Sequence, residues 1–442
     1  YLKAHMRDGR LYVLGPWSFD AAALTVSGSG ELRAVDRSVV DRGTFVVPVG
    51  EVALFETNRL KNSPAVTALA VVTTVSLGVT AYCIAYPKAC FGSCPTFYVS
   101  DGAADLLQAE GFSDSVAPSL EDRDVDALYR ARPRGREVLV RMTNEALETH
   151  VVREVSLLVV PRPPGGRAFA GPRGEFWPAR RLHEPLSCRA AEGDCREQLA
   201  RFDEVERSSR TDGKDLTTRE TIDLDFPSPG PGDDRPRGLV VAGRQTLLST
   251  FLFYQALGYM GGSAGEWLAA MERDGGLRDR LRAFRDALGG VEVLVEEGSG
   301  EWRLAGEIRE AGPIASDVKV VPLPRGSSGR VRLRMARGQW RLDWVALAEL
   351  EPRVSARRLS PVRRSAEGKS PDANSGPLVT VPGDAYRYDF LLPEDPERLE
   401  LFLESRGYYL EWMRDEWMGE EDPQKLAQLF ASPRETLREL AP

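Results

Sequence analysis

Residues 63–87 carry no charged side chain. Few folds accommodate an uncharged run of that length. At 1.5 Å per residue, about 20 such residues cross the ~30 Å hydrocarbon layer of a bilayer, so the stretch from Val66 to Tyr86 has the length of a membrane span. The alternative is a core element: a buried helix, or a buried β-hairpin turning at Ser76-Leu77-Gly78. Thr67, Thr73, Thr74, Ser76 and Thr80 lower its hydropathy, and length alone does not choose between the readings. If the segment spans, Arg59 and Lys61 outweigh Lys88, which places the N-terminus inside and the cysteine-bearing part outside.

The cysteines are five: Cys83, Cys90, Cys94, Cys188 and Cys195. Cys188 and Cys195 flank a short polar loop, within reach of a local disulfide. Cys90 and Cys94 are spaced CxxxC, which is not the redox CxxC. A zinc site needs four spaced ligands, and no second CxxC-like pair exists. Disulfides in an oxidising compartment are the expectation. The odd count leaves one thiol unpaired or bonded to a partner.

Composition narrows the function classes. Lys and Arg number 58 against 66 Asp and Glu, a net charge of −8. A general nucleic-acid binder carries a basic footprint instead, so no nucleic-acid partner is expected. The three histidines, His5, His150 and His183, do not cluster in sequence. P-loop and dinucleotide fingerprints are absent, and no cofactor is expected.

The 442 residues suggest about three domains at ~150 residues each. Residues 1–60 read as five short strands, beginning at Leu11, Leu24, Glu31, Thr44 and Val52, with turns at Asp8-Gly9 and Gly28-Ser-Gly30. They predict a small curled sheet or barrel. Residues 88–226, after the apolar segment, read as a β-sandwich-like domain with long insertions. Residues 238–290 are helical, with an apolar helix from Gln245 to Met260 and helices near 264–273 and 276–288. Strands return over 291–412, a second β-rich domain, where Val331, Leu333 and Met335 alternate with Arg330, Arg332 and Arg334. Residues 353–376 read as a basic loop. Residues 413–442 form C-terminal helices, with Asp422-Pro423 and Ser432-Pro433 as start signals. The fold class is mainly β with helical insertions.

Each motif that carries chemistry has a plainer reading. Gly261-Gly-Ser263-Ala-Gly265 matches G-x-S-x-G, but a nucleophile elbow needs a preceding strand and here a helix precedes. A helix end at Gly261 with Ser263 and Glu266 as a capping box fits better. Asp122, Asp124 and Asp126 have the spacing of a calcium loop, yet Ala127 and Pro133 stand where an EF-hand wants Gly and Glu. An acidic turn starting a helix is the expectation. Asn144 to His150 puts Glu145, Glu148 and His150 between two strong strands, as acid/base groups or as turn chemistry. Tyr408, Tyr409, Trp412 and Trp417 lie among acids, a pattern that fits partner contact, sugar stacking or plain core. The Arg330, Arg332 and Arg334 row reads as a solvated strand face, with anion contact as the alternative.

Pro87-Lys-Ala-Cys-Phe-Gly-Ser-Cys-Pro-Thr-Phe-Tyr and Met142-Thr-Asn-Glu-Ala-Leu-Glu-Thr-His resemble motifs of a family of uncharacterised bacterial envelope proteins, often with lipoprotein leaders. Gly243-Arg-Gln-Thr-Leu-Leu-Ser-Thr, Gly258-Tyr-Met-Gly and Ser405-Arg-Gly-Tyr-Tyr extend the similarity along most of the chain. The resemblance implies a small β domain, an apolar segment and a large β-rich periplasmic or surface region, and it transfers no catalytic residue. The resulting expectation is a non-catalytic, membrane-associated envelope protein. It would act as an accessory or scaffolding component held by other envelope or membrane proteins. A carbohydrate-binding or carbohydrate-processing β-sandwich is the alternative.

Overall fold

The computed structural model describes residues 1–20, 22–35, 38–57, 94–100, 104–230, 235–297, 300–309, 312–367 and 377–441. The uncharged run 63–87, Cys83 and Cys90 lie outside the described residues. The protein is mainly β, with 48% strand and 19% helix, several antiparallel sheets, a helical insertion and short C-terminal helices. Among the described residues, no helix is long and apolar enough to cross a membrane.

The N-terminal sheet holds β1 (Leu2–Met6), β2 (Leu11–Asp20), β3 (Thr25–Arg33), β4 (Val39–Pro48) and β5 (Val52–Thr57). Its order is β4-β3-β2-β1-β5, so β4 and β5 are edges and the sheet is open rather than a closed barrel. The Asp8-Gly9 turn forms as expected, with Gly9 at φ +90°. Gly28 and Gly30 make no turn; both lie inside β3. A Cβ on Gly30 would sit 1.9 Å from the Val13 carbonyl oxygen. These glycines permit close strand approach rather than a reversal, and two predicted strands are one.

Four further sheets stack in layers. The first contains β6 (Thr96–Ser100), β7 (Asp105–Glu110), β9 (Glu137–Thr143), β24 (Arg363–Ala366) and β26 (Ala385–Leu391). The second contains β8 (Asp122–Ala127), β10 (Glu148–Pro161), β23 (Arg357–Leu359), β25 (Leu378–Thr380) and β27 (Leu399–Glu411). The third joins β11 (Arg167–Ala170), β12 (Phe176–His183), β15 (Arg207–Ser208), β17 (Arg237–Gln245), β20 (Asp317–Pro322) and β22 (Trp340–Leu350). The fourth joins β13 (Ser187–Ala190), β14 (Gly193–Asp194), β16 (Arg219–Asp225), β18 (Val291–Glu297), β19 (Glu301–Ile308) and β21 (Arg330–Ala336).

Side-chain alternation builds the layers. Leu157, Val159, Leu401 and Leu403 of the second sheet meet Val138, Val140 and Met142 of the first. Their neighbours Leu158, Val160 and Phe402 point the other way, against Val240, Val320 and Trp344 of the third. From the third sheet, Leu239, Val241 and Val345 then face Val293, Val331 and Leu333 of the fourth. Strands buried on both faces read as continuous apolar runs, as β10 does.

This stacking corrects the division into separate β-rich stretches 88–226 and 291–412. The second, third and fourth sheets each draw strands from both stretches, with β10 lying against β27 along its whole length. Residues 353–376 likewise contribute β23 and β24 rather than loop alone.

Helices α1 (Leu247–Met260), α2 (Ala264–Arg273) and α3 (Gly275–Leu288) form the insertion, and α4 (Pro423–Ala431) and α5 (Pro433–Glu439) end the chain. Thr246 caps α1, accepting from Leu248 N at 3.3 Å. Asp274 caps α3, accepting from Gly276 N at 2.8 Å. Asp422 accepts from Gln424 N and Lys425 N ahead of Pro423, as the sequence predicts. Ser432 starts α5 without a side-chain cap bond. The five helices pack on the N-terminal sheet in a common core that includes Leu2, Leu54, Leu252, Leu268, Phe284 and Leu429.

Candidate functional site

Between the helices and the end of the second sheet lies a cavity of about 180 Å³. Its walls are mostly apolar, with Leu252, Ala256 and Met260 from α1, Leu268 and Met271 from α2, Phe284 from α3 and Phe430 from α4, and polar side chains such as Thr250, Gln339 and Arg285 among them. Tyr409 and Glu411 of β27 also line it. They are two residues apart on a strand and so share a face.

Glu411 belongs to a buried polar cluster. The β10–β27 register places it directly opposite Glu148, and like charges at such a position repel. Burial pushes the Glu411 carboxyl well above the usual carboxylate range, and Glu148 adds to that against the opposing Arg414 guanidinium. The Glu148 carboxyl and the Tyr254 hydroxyl interact with Glu411, though neither oxygen has a partner at full hydrogen-bond distance; Arg414 Nη2 stands 3.9 Å from Oε2. On the other side, His150 Nε2 and Glu148 Oε1 are 2.7 Å apart, both residues fully buried. Asn144 Nδ2 donates to the Glu148 carbonyl at 3.0 Å and to Thr380 Oγ1 at 3.2 Å.

The aromatic quartet divides around this cluster: Tyr409 and Trp417 lie on its side, while Tyr408 points to the other face of β27, under Arg153. Tyr408, Tyr409 and Trp417 are buried at 0%, 2% and 6% exposure, which corrects their reading as surface anchors for a partner or a sugar. Trp417 packs on Tyr254, ring centroids 4.9 Å apart, and the Arg414 guanidinium lies 4.6 Å from the centroid of each ring. Arg414 Nη2 also donates to the Tyr254 hydroxyl at 3.1 Å. Trp412 is half-buried and donates its indole N–H to Thr149 Oγ1 at 2.9 Å. Trp417 and Tyr254 thus hold Arg414 beside the carboxylate pair. Sequence reading singled out Glu148 and His150 but not Glu411, Arg414 or Tyr254, which only the strand register and the helix packing bring together.

The other motifs resolve into structure. Ser263 lies in a short 3₁₀ turn after α1 and donates Oγ to Glu421 Oε1 at 2.9 Å. It neither caps α2 with its side chain nor sits on a strand-to-helix elbow. Gly261, at φ +47°, ends α1, and a Cβ there would fall 2.4 Å from Glu421 Cβ. Asp122, Asp124 and Asp126 form no turn; they lie on β8. The cation beside them is Lys319, whose ammonium is 2.5 Å from Asp317 Oδ2 and donates to the Val125 carbonyl at 2.6 Å. Asp124 accepts from Phe112 N and Val125 N, and burial lifts its carboxyl to about 6. The arginine row is paired across strands: Arg330 with Glu296, Arg332 with Asp223 and Arg334 with Glu292. Those pairs fill the strand face that an anion would have needed.

Cys188 and Cys195 form a disulfide with Cα atoms 5.2 Å apart. Cys94 is buried, its thiol 3.8 Å from Glu110 Oε1. Among the described residues, no group of three or more His, Cys, Asp and Glu is placed to hold a metal ion.

No known protein family matches the chain, and neither a curated protein nor a solved structure is similar to it.

Proposed function

We propose that this chain is a non-catalytic, membrane-associated protein of the bacterial cell envelope, an accessory or scaffolding component of a larger complex. The observation that carries the reading is the Cys188–Cys195 disulfide, a bond that persists outside the reducing cytosol. The uncharged run 63–87 and the envelope-type motifs around Cys90 and Cys94 point the same way. We read the stacked sheets as sandwich-like modules serving a framework rather than a reaction. The scaffold part is supported by β4. It is an edge strand, and its Val39, Val40 and Val46 are 44%, 61% and 64% exposed. An edge strand with exposed valines is a template for an added strand of a partner, one that here would pass beside the exposed Asp41 and Arg42.

Purification from detergent-solubilised membranes tests this. The chain is expected to come away with a stable protein partner. Val40→Lys together with Val46→Lys is expected to lose that partner while the fold is kept. A homogeneous monomer in the soluble fraction, identical for wild type and variant, would overturn the proposal.

A further inference from the structure

We propose that the cavity between α1, α2, α3, α4 and the end of β27 is a binding site for a small, mostly apolar, uncharged molecule of about benzene size, whose one hydroxyl or carbonyl group docks on Glu411. Three observations carry it. The first is size: the 180 Å³ space is comparable to engineered apolar cavities of roughly 150 Å³ that stay dry and take up benzene. The second is lining: most of the residues around the space are apolar, Ala256, Met260, Met271 and Phe284 among them, with Thr250, Ser249 and Gln339 as polar neighbours that a hydroxyl or carbonyl could also meet.

The third is Glu411. It is 4% exposed and lines the cavity, with the Glu148 carboxyl and the Tyr254 hydroxyl beside it but no partner at full hydrogen-bond distance from either oxygen. A buried polar group left in that state is costly and calls for a partner. Held neutral by burial and by Glu148, its carboxyl offers both a donor and an acceptor.

The charges select against ionic ligands. An anion would meet the Glu148 and Glu411 pair. A cation would meet Arg282, Arg285 and Arg309 in the lining, with Arg414 behind Glu411. Arg285 Nη1 holds Asp114 Oδ2, another lining residue, at 2.6 Å, joining α3 to the segment before β8.

The test uses the full chain and three probes: 4-methylphenol, toluene as the same shape without the hydroxyl, and benzoate as a charged control. Calorimetry is expected to show one 4-methylphenol per chain, at least about tenfold tighter than toluene, and no benzoate binding. Glu411→Leu is expected to bring 4-methylphenol down to the toluene affinity. The location is read without any variant. Of the seven methionines, only Met260 and Met271 line the cavity, so only their ¹³C-methyl resonances are expected to shift on binding. Failure of 4-methylphenol to bind, or shifts at other methionines instead, would overturn the site. Equal affinities for 4-methylphenol and toluene in wild type would overturn the assignment of the polar end to Glu411.

Discussion

Replacing Lys319 with Met is expected to cost the fold about 3–5 kcal/mol at pH 8, the usual penalty for removing one partner of a buried ion pair. Lys319 and Asp317 have side chains only 12% and 8% exposed. The ammonium is also the cation that Asp124 and Asp126 face, and these three carboxylates raise its pKa against the opposing desolvation. Without it, Asp317 and Asp124 lose the ammonium that faces them in their buried setting. The pH dependence gives a second readout. Asp124 has its carboxyl raised from 3.8 to about 6. The stability linked to this raised pKa is fully present below about 3.8 and is lost as pH rises through about 6. The deficit of Lys319→Met is therefore expected to shrink between pH 8 and pH 5, as Asp124 takes up a proton. Thermal unfolding at the two pH values checks this. A deficit that stays constant, or grows on acidification, would show that Lys319 acts through packing and not through charge.

Arg207→Met is expected to be similarly damaging, about 3–5 kcal/mol. Arg207 is 1% exposed and joins two layers of the stack. It lies on β15 of the third sheet and donates to both oxygens of Glu220 on β16 of the fourth, at 2.9 and 2.7 Å. The same guanidinium donates to Glu192 Oε1 at 2.7 Å, and Ser209 Oγ donates to Glu220 Oε1 at 2.8 Å. Planar bidentate geometry is what Arg supplies and Lys does not. Removing the cation leaves Glu220 buried with only a hydroxyl to answer it. Adding Glu220→Leu to Arg207→Met is expected to restore much of the loss, since an apolar pair can replace a buried ionic one. Urea midpoints of the single and double variants measure the coupling. Simple additivity of the two losses would contradict the account.

The parts of this fold that are legible in sequence are the locally encoded ones. The three helices of the insertion follow from their apolar patterns, and the first C-terminal helix from Asp422-Pro423 at its start, signals carried within a few residues. The Cys188–Cys195 bond follows from a short loop. What failed was long-range. The acids of β8 look like a turn or a cation loop until Lys319, far along the chain, is placed against them by the packing of β20. Gly28 and Gly30 read as a turn because a glycine that permits close strand approach and a glycine that permits reversal look the same in sequence. The candidate site shows this most sharply. Glu148 and Glu411 each stand beside a readable strand, but only the register of β10 on β27 sets them opposite one another. Tyr408, Tyr409 and Trp417 show the converse. Aromatics beside acids are as much the mark of a buried wall as of a binding surface, and here Arg414 covers Trp417, Arg153 covers Tyr408, and Tyr409 is buried against Phe253.

The proposed envelope location is tested most directly by the redox state of Cys188 and Cys195 in the cell. Intact cells are quenched in acid, denatured, and treated with a thiol-reactive label before or after reduction, with the chain followed through cell fractionation. The account predicts membrane-fraction protein in which both cysteines take up label only after reductant. Cytoplasmic protein whose Cys188 and Cys195 label fully without reductant would contradict it.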